Sequence, residues 1–172
     1  MNATLSFPFF FASSPSRSIP SACPLLGFVS LVAPAVVRGN TCVVVPSEPH
    51  PLAATDLYQV LDTSDLPGGV INVITGNADG MAKTLAEHQD VDALWYLKED
   101  GYRAGLRGVG DVDTREGAIG SYHVEQLAAS NMKRTLVSHG RARDWHDPEQ
   151  GEGHEFLQEA SEVKNIWVPM GA

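Results

Sequence analysis

Two kinds of apolar pattern alternate along this chain, one with helical spacing and one made of short β-branched runs. The helical spacing is typical of helices with one buried face, and the short runs are typical of strands buried on both faces. In chain order, the predicted elements cover residues 24–37, 41–45, 51–61, 70–74, 80–88 and 91–97. The first of these helices opens with Pro24 and contains Pro34, where we expect a kink or a late break.

This alternation of strands and helices predicts an α/β fold with right-handed crossovers and a parallel sheet. Ligands of such sheets bind at the carboxyl ends of the strands. Residues 45–48 and 75–77 follow two of the predicted strands, so both segments should lie at that edge. Backbone amides and helix N-termini there are suited to a small anion or a ribose.

The remaining pattern is weaker. Residues 98–116 are polar and rich in glycine, as in a loop or linker. Beyond them the sequence predicts, in order, a short helix near 124–129, a strand near 133–137, a polar turn over 144–153, a short helix over 153–160 and a final strand over 164–168.

The first 22 residues differ in character from the rest. An apolar patch over 7–12 precedes a serine-rich stretch over 13–18, a combination that also occurs in secretory and transit segments. The patch is short, it contains Pro8, and no basic residue precedes it. These features favour a disordered N-terminus and a cytoplasmic protein, with an organelle-targeted or secreted protein as the alternative.

Composition narrows the function classes. The chain has 172 residues and a formal net charge of −9, which allows one ordinary core and disfavours partners such as nucleic acid or an anionic membrane. Cys23 and Cys42 are the two cysteines, and their spacing matches neither a disulfide framework nor a zinc site. His139, His146 and His154 recur among acidic residues, but the glycines and proline between them would interrupt a helix, so we predict no metal site.

Three phrases link the chain to a known family. They are Gly-Asn-Thr at 39–41, Pro-Ser-Glu at 46–48, and Asp-Leu-Pro-Gly-Gly-Val-Ile-Asn-Val-Ile-Thr-Gly at 65–76. With these phrases, residues 20–96 resemble the cofactor-binding part of aldehyde dehydrogenases. The resemblance implies a Rossmann-like half-domain, NAD as the cofactor, and cofactor-binding positions at Pro46, Ser47, Glu48 and Gly76. Glu48 would accept hydrogen bonds from the adenosine ribose; alternatively, it caps the helix that begins near residue 51.

Departures from the family pattern imply weakened NAD binding. Val45 stands where the family has a ribose-contacting lysine. The phosphate-facing Phe-Thr-Gly-Ser segment aligns with Tyr-Leu-Lys-Glu at 96–99, which removes a glycine and adds a carboxylate.

The resemblance also implies that the catalytic groups are missing. Ala22 occupies the place of the oxyanion asparagine, and Cys23 occupies the place of a phenylalanine. Cys42 lies inside a predicted buried strand, and the chain has no Glu-Leu-Gly-Gly segment. We therefore predict no catalytic residues.

Phrases at 131–137, 140–145 and 163–169 resemble the end of aldehyde dehydrogenase family 16, whose second unit lacks catalytic residues. The implied organisation is an atypical N-terminus over 1–22, a cofactor-binding segment over 23–97, a linker in place of a catalytic domain over 98–131, and an assembly segment over 132–172. The implied role is structural or regulatory, in a homo-oligomer or beside an active aldehyde dehydrogenase unit. Alternatively, the chain binds NAD and becomes active only with a partner that supplies the cysteine and the glutamate, or it is a truncated product without a stable fold.

Overall fold

A computed structural model of the chain describes residues 8–14, 23–98, 119–139, 141, 143–152 and 154–162, with the backbone alone for 8–14 and 98. Its strands are β1 (Pro8–Ser14), β2 (Thr41–Val45), β3 (Ile71–Val73), β4 (Ala93–Lys98) and β5 (Arg134–Val137). They form one five-stranded sheet in the order β3-β2-β1-β4-β5, and every neighbouring pair is parallel. The predicted α/β class and parallel sheet are therefore confirmed.

The helices are α1 (Pro24–Val37), α2 (Leu52–Asp62), α3 (Ala78–Glu87), α4 (Ser121–Ala128), α5 (Pro148–Gly151) and α6 (His154–Glu159). The predicted helices over 24–37, 51–61 and 80–88 correspond to α1, α2 and α3, and α1 continues through Pro34 to Val37. The segment 144–153, predicted as a polar turn, contains the single turn of helix α5. Among the described residues, no helix is long and apolar enough to cross a membrane.

Both faces of the sheet are covered. One core lies between the sheet and helices α1, α2 and α6, and a second lies between the sheet and α3 and α4. Alternate residues of β4 divide between them, because Trp95 joins the first core while Leu94 and Tyr96 join the second. Burial on both faces explains why β2 and β4 are nearly continuous apolar runs.

The N-terminal expectation is wrong for Pro8–Ser14, which form the central strand. β1 pairs with β2 on one side and β4 on the other, with Ala12 opposite both Val45 and Tyr96. A central parallel strand is a short apolar run, and the patch over 7–12 is such a run. A targeting segment also contains a short apolar run, so the sequence pattern does not distinguish the two.

The predicted division after residue 97 stays a prediction, although described residues on both sides of it share one sheet. Helix α4 lies within the expected linker, 98–131, yet it packs on α3, β4 and β5. The expected assembly segment, 132–172, begins with β5 of the same sheet and continues into α6, which packs on α1. Asn40 lies in the loop between α1 and β2. Its Nδ2 donates to the carbonyl of Ala160 at 2.9 Å, which ties this loop to the C-terminal segment. The predicted loop beyond residue 98 up to 116 and the predicted final strand over 164–168 lie outside the described residues.

Candidate cofactor-binding edge of the sheet

The parallel topology brings the carboxyl ends of the strands to one edge, which we call the carboxyl edge. Each of α1, α2, α3 and α4 follows a strand and so begins at this edge. The crossovers change from one face to the other between β1 and β4, which are neighbours in the sheet. Such a switch point opens a crevice for ligands. In sequence, the next described residue after β1 is Cys23, and the next described residues after β4 are Ile119–Ser121.

Pro46, Ser47 and Glu48 follow β2 at the carboxyl edge. Pro46 and Ser47 are buried, whereas Glu48 is exposed. The Ser47 carbonyl accepts from the His50 amide at 3.1 Å, which turns the chain towards α2. Helix α2 has Pro51 at its N-cap and no side-chain cap. The capping alternative for Glu48 is therefore wrong, and its carboxylate faces solvent.

Gly76 lies in the loop after β3, and the loop itself requires a glycine. Its φ of +150° is a conformation that L side chains rarely adopt, and a Cβ there would lie 2.5 Å from Cε of Met81. The next residue, Asn77, caps α3 by accepting from the amide of Gly80 at 2.7 Å. These two residues turn the chain into α3 at the edge, while a cofactor-binding role for Gly76 stays a prediction.

The segment that we aligned with the phosphate-facing loop is part of a strand. Tyr96 is fully buried in β4, and Leu97 is also buried. The Tyr96 hydroxyl lies 2.8 Å from Oδ1 of Asp79, in the first turn of α3, and 2.9 Å from the carbonyl of Ile119. Its single proton can be donated to one of these acceptors at a time. The hydroxyl thus holds the beginnings of α3 and α4 close together. The alignment of residues 96–99 with the phosphate-facing loop stays a prediction, and residue 99 lies outside the described residues.

A glycine-serine pair that sequence reasoning missed begins α4. Gly120 is the N-cap with extended backbone, and Ser121 is the first helical residue. The first amides of a helix have no partner within the helix and attract negative charge. The signal available in the sequence was a glycine-serine dipeptide directly before the helical pattern near 124–129.

Two buried hydroxyls at this edge lack hydrogen-bond partners among the described residues. Oγ of Ser47, a side chain that is 2% exposed, is one, and Oγ of Ser121, 3% exposed, is the other. Leaving a buried hydroxyl unpaired costs about 1–3 kcal/mol. A ribose hydroxyl or a phosphate oxygen would relieve that cost, so both serines fit a polar ligand.

The two thiols are in different environments. Cys42 is fully buried in β2, and desolvation raises its pKa to about 12. Cys23 is half-buried at the N-cap of α1, with its Sγ 3.1 Å from Nε2 of His146. His139 follows β5, His146 lies in the turn before α5, and His154 begins α6. Within the described part of the chain, no group of three or more metal-ligating side chains is close enough to hold an ion.

The family model described as "Aldehyde dehydrogenase family" matches residues 19–96. Residues 19–96 are therefore a segment of the aldehyde dehydrogenase family. Among its relatives, the NADP/NAD-dependent aldehyde dehydrogenase PuuC of Escherichia coli K12 is 37% identical over 122 residues, which are 71% of this chain and 21% of that protein. The 2-hydroxymuconic semialdehyde dehydrogenase of Pseudomonas putida is 40% identical over 104 residues, 57% of this chain and 21% of the relative.

Solved structures of the family agree with the fold. The gamma-glutamyl-gamma-aminobutyraldehyde dehydrogenase of Burkholderia cenocepacia superimposes with a TM-score of 0.55 and 28% identity over 77% of this chain and 22% of its own. Aldehyde dehydrogenase C of Pseudomonas syringae, in complex with NAD+ and octanal, gives a TM-score of 0.55 and 25% identity over 77% and 22%. This chain therefore spans about a fifth of the length of these dehydrogenases.

The likeness to aldehyde dehydrogenases covers more of the chain than residues 19–96. The 122-residue match to PuuC is longer than the segment 19–96, so the likeness extends beyond that segment. Gly120 and Ser121 begin helix α4 at the carboxyl edge, where the first backbone amides of a helix suit an anion.

Not every feature of the edge favours a dinucleotide. Val45, at the position where the resemblance implies a lysine, is 1% exposed and packs in the core beneath α3. It can donate no hydrogen bond to a ribose. The Asp79 carboxylate lies in the first turn of α3, at the same edge.

Proposed function

We propose that this chain is an aldehyde dehydrogenase-like unit that keeps part of the cofactor-binding edge and does not oxidise aldehydes by itself. The state of Cys42 supports this proposal most strongly. Aldehyde oxidation of this type requires a thiolate nucleophile, and the Cys42 thiol is fully buried with its pKa raised to about 12. Cys23, the other thiol, stands in the place of a phenylalanine.

Weak NAD binding is the second part of the proposal. Glu48 would accept from the ribose, with Pro46, Ser47 and Gly76 shaping the surface beside it, and Ser121 would donate to a phosphate. Bound NAD would supply a hydride acceptor. Affinity would be reduced because Val45 offers no donor and because the Asp79 carboxylate lies at the same edge.

The C-terminal phrases support a more specific proposal, namely that the chain corresponds to the non-catalytic unit of aldehyde dehydrogenase family 16. Its role would be structural or regulatory, in a homo-oligomer or beside an active aldehyde dehydrogenase unit in the cytoplasm. Exposed apolar side chains on α2 support an assembly role, because Leu52 is 72% exposed and Val60 is 60% exposed.

A second candidate function rests on the unpaired hydroxyls of Ser47 and Ser121. These hydroxyls favour a chain that still binds NAD and contributes to turnover when a partner supplies the cysteine and the glutamate. The two candidates differ in what happens when an active dehydrogenase unit is added.

The test is NADH formation from NAD and a panel of aldehydes, measured with the chain alone and then with an active aldehyde dehydrogenase added. The first proposal predicts no NADH from the chain alone and no gain beyond the partner's own rate. A gain in rate that the Ser47→Ala variant loses would favour the second function. Turnover by the chain alone that survives replacement of both cysteines would overturn both.

A further inference from the structure

The thiol of Cys23 and the imidazole of His146 form a pair across 123 positions of sequence, with Sγ and Nε2 3.1 Å apart. Cys23 is the N-cap of the 14-residue helix α1, and its carbonyl accepts from the Gly27 amide at 2.9 Å. His146 lies in the turn that precedes α5. The two side chains therefore come from separate elements that must be docked together for the pair to exist.

Packing of the neighbouring tryptophan fixes this docking. Trp145 lies over α1 at Gly27, where a Cβ would be 3.5 Å from the indole Cε2. The Trp145 ring is also nearly parallel to that of Phe156, with ring centroids 6.3 Å apart and planes 9° apart. Phe156 is fully buried. The backbone amide of His146 also donates to Oδ1 of Asp144 at 3.0 Å, which shapes the turn.

The arrangement suits an activated thiol. A nucleophilic cysteine needs a base within hydrogen-bond reach to take its proton, and His146 is within that reach. The N-terminus of a helix stabilises the negative charge that remains on sulfur. Cys42 provides the contrast within the same chain, since it is fully buried and burial raises its pKa to about 12.

An apolar groove adjoins the sulfur. It has a volume of about 420 Å³ and is lined by Cys23, Pro24, Leu25, Leu26 and Val29. Leu25 is 45% exposed and Val29 is 41% exposed, so the groove opens to solvent. Its volume lies within the range of about 300–1,000 Å³ that is usual for small-molecule sites. An alkyl group bound on this open apolar surface would lie beside the thiol.

We propose that Cys23 is a covalent modification site for conjugated carbonyl compounds that have an apolar body. In the addition, His146 takes the thiol proton and the sulfur forms a bond to the β-carbon of the conjugated double bond. The π electrons move to the carbonyl oxygen as an enolate, and the proton returns to the α-carbon. The product is a thioether, and the step needs no oxidant, reductant or leaving group.

The test is the rate of adduct formation on the native chain, using N-alkylmaleimides as conjugated carbonyl probes and intact mass with peptide mapping as the readout. One adduct should form on Cys23 and none on Cys42 until the protein is denatured. The rate of adduct formation should be about tenfold lower for His146→Gln. A positioned general base in a closed site contributes ~100-fold or more to a rate, and a smaller effect is expected here because His146 is exposed. His154→Gln is the matched control, since His154 is another exposed histidine of the same region, and its rate should equal that of the native chain.

Chain length of the probe tests the groove separately. An octyl maleimide should react roughly tenfold faster than the ethyl compound, because part of its extra hydrocarbon is buried, and Leu25→Ala should reduce that preference. The proposal would be overturned if native Cys23 reacted no faster than it does in the denatured chain, if His146→Gln and His154→Gln behaved alike, or if the alkyl chain had no effect. Cys23→Ser retains a good N-cap residue, so this variant should remain folded and form no adduct.

Discussion

Replacing Phe156 with alanine tests whether the C-terminal segment belongs to the core of this domain. Phe156 is fully buried in α6. Its ring lies 5.7 Å from that of Trp95 in β4 and 6.3 Å from that of Trp145, and the guanidinium of Arg143 lies 4.8 Å from its centroid. The ring therefore links the last described helix to the middle of the sheet.

The expected loss follows from complete burial. Replacing a buried phenylalanine by alanine costs about 3–5 kcal/mol, because apolar contacts are lost and a cavity remains. Such a loss is a large fraction of the roughly 5–15 kcal/mol that stabilises an ordinary domain. For a chain of this length it corresponds to a fall in melting temperature of roughly 6–20 °C.

Thermal and urea unfolding of the Phe156→Ala variant, followed by tryptophan fluorescence and circular dichroism, measure this loss. Gln158→Ala is the matched control, because Gln158 is exposed on the same helix and should change stability by less than about 0.5 kcal/mol. If Phe156→Ala unfolded at the same temperature and urea concentration as Gln158→Ala, the packing of α6 into the domain would be refuted.

Three further substitutions test individual parts of the structure. Ser47→Ala removes a buried hydroxyl without a partner, so it should leave the apo chain equally or more stable by up to about 1–3 kcal/mol, yet reduce any stabilisation by NAD in melting experiments. Lys133→Met removes an ammonium that donates to two carbonyls at the end of α3, at 2.7 and 2.8 Å, and should lower the free energy of urea unfolding by about 1–3 kcal/mol. Burial lowers the pKa of Lys133 from 10.5. Just below pH 10.5, the folded state therefore binds fewer protons than the unfolded state. The free energy of unfolding of the native chain should then increase with pH in that range, relative to the variant. Gly76→Ala should destabilise the chain by about 1–3 kcal/mol because of its backbone conformation, whereas Gly68→Ala, with open space around its Cβ position, should unfold like the native chain.

The sequence predicted the parts of the fold in which a local pattern determines the structure. The β-branched run at 41–45 and the helical spacing at 24–37 each have one favourable solution, and the structure has that solution. The run at 7–12 has two solutions, because a central strand and a targeting segment both need a short apolar patch. Only the pairing of β1 with its neighbours decides between them.

The candidate site was less predictable, because its residues come from distant parts of the chain. Gly120 and Ser121 follow the end of β4 by about twenty residues and still begin α4 at the carboxyl edge. The Cys23–His146 pair spans 123 positions, and no periodicity connects such residues. Tertiary packing alone brings them together.

The most direct test of the retained cofactor edge is a thermal melt followed by tryptophan fluorescence, with and without millimolar NAD. Trp95 and Trp145 are both packed in the first core, so they report unfolding of the sheet and of the C-terminal helices. At NAD concentrations about tenfold above the dissociation constant, binding to the folded state adds about 1.4 kcal/mol. The account predicts a cooperative transition that NAD moves upward by a few degrees. A cooperative transition that NAD leaves unmoved would contradict it.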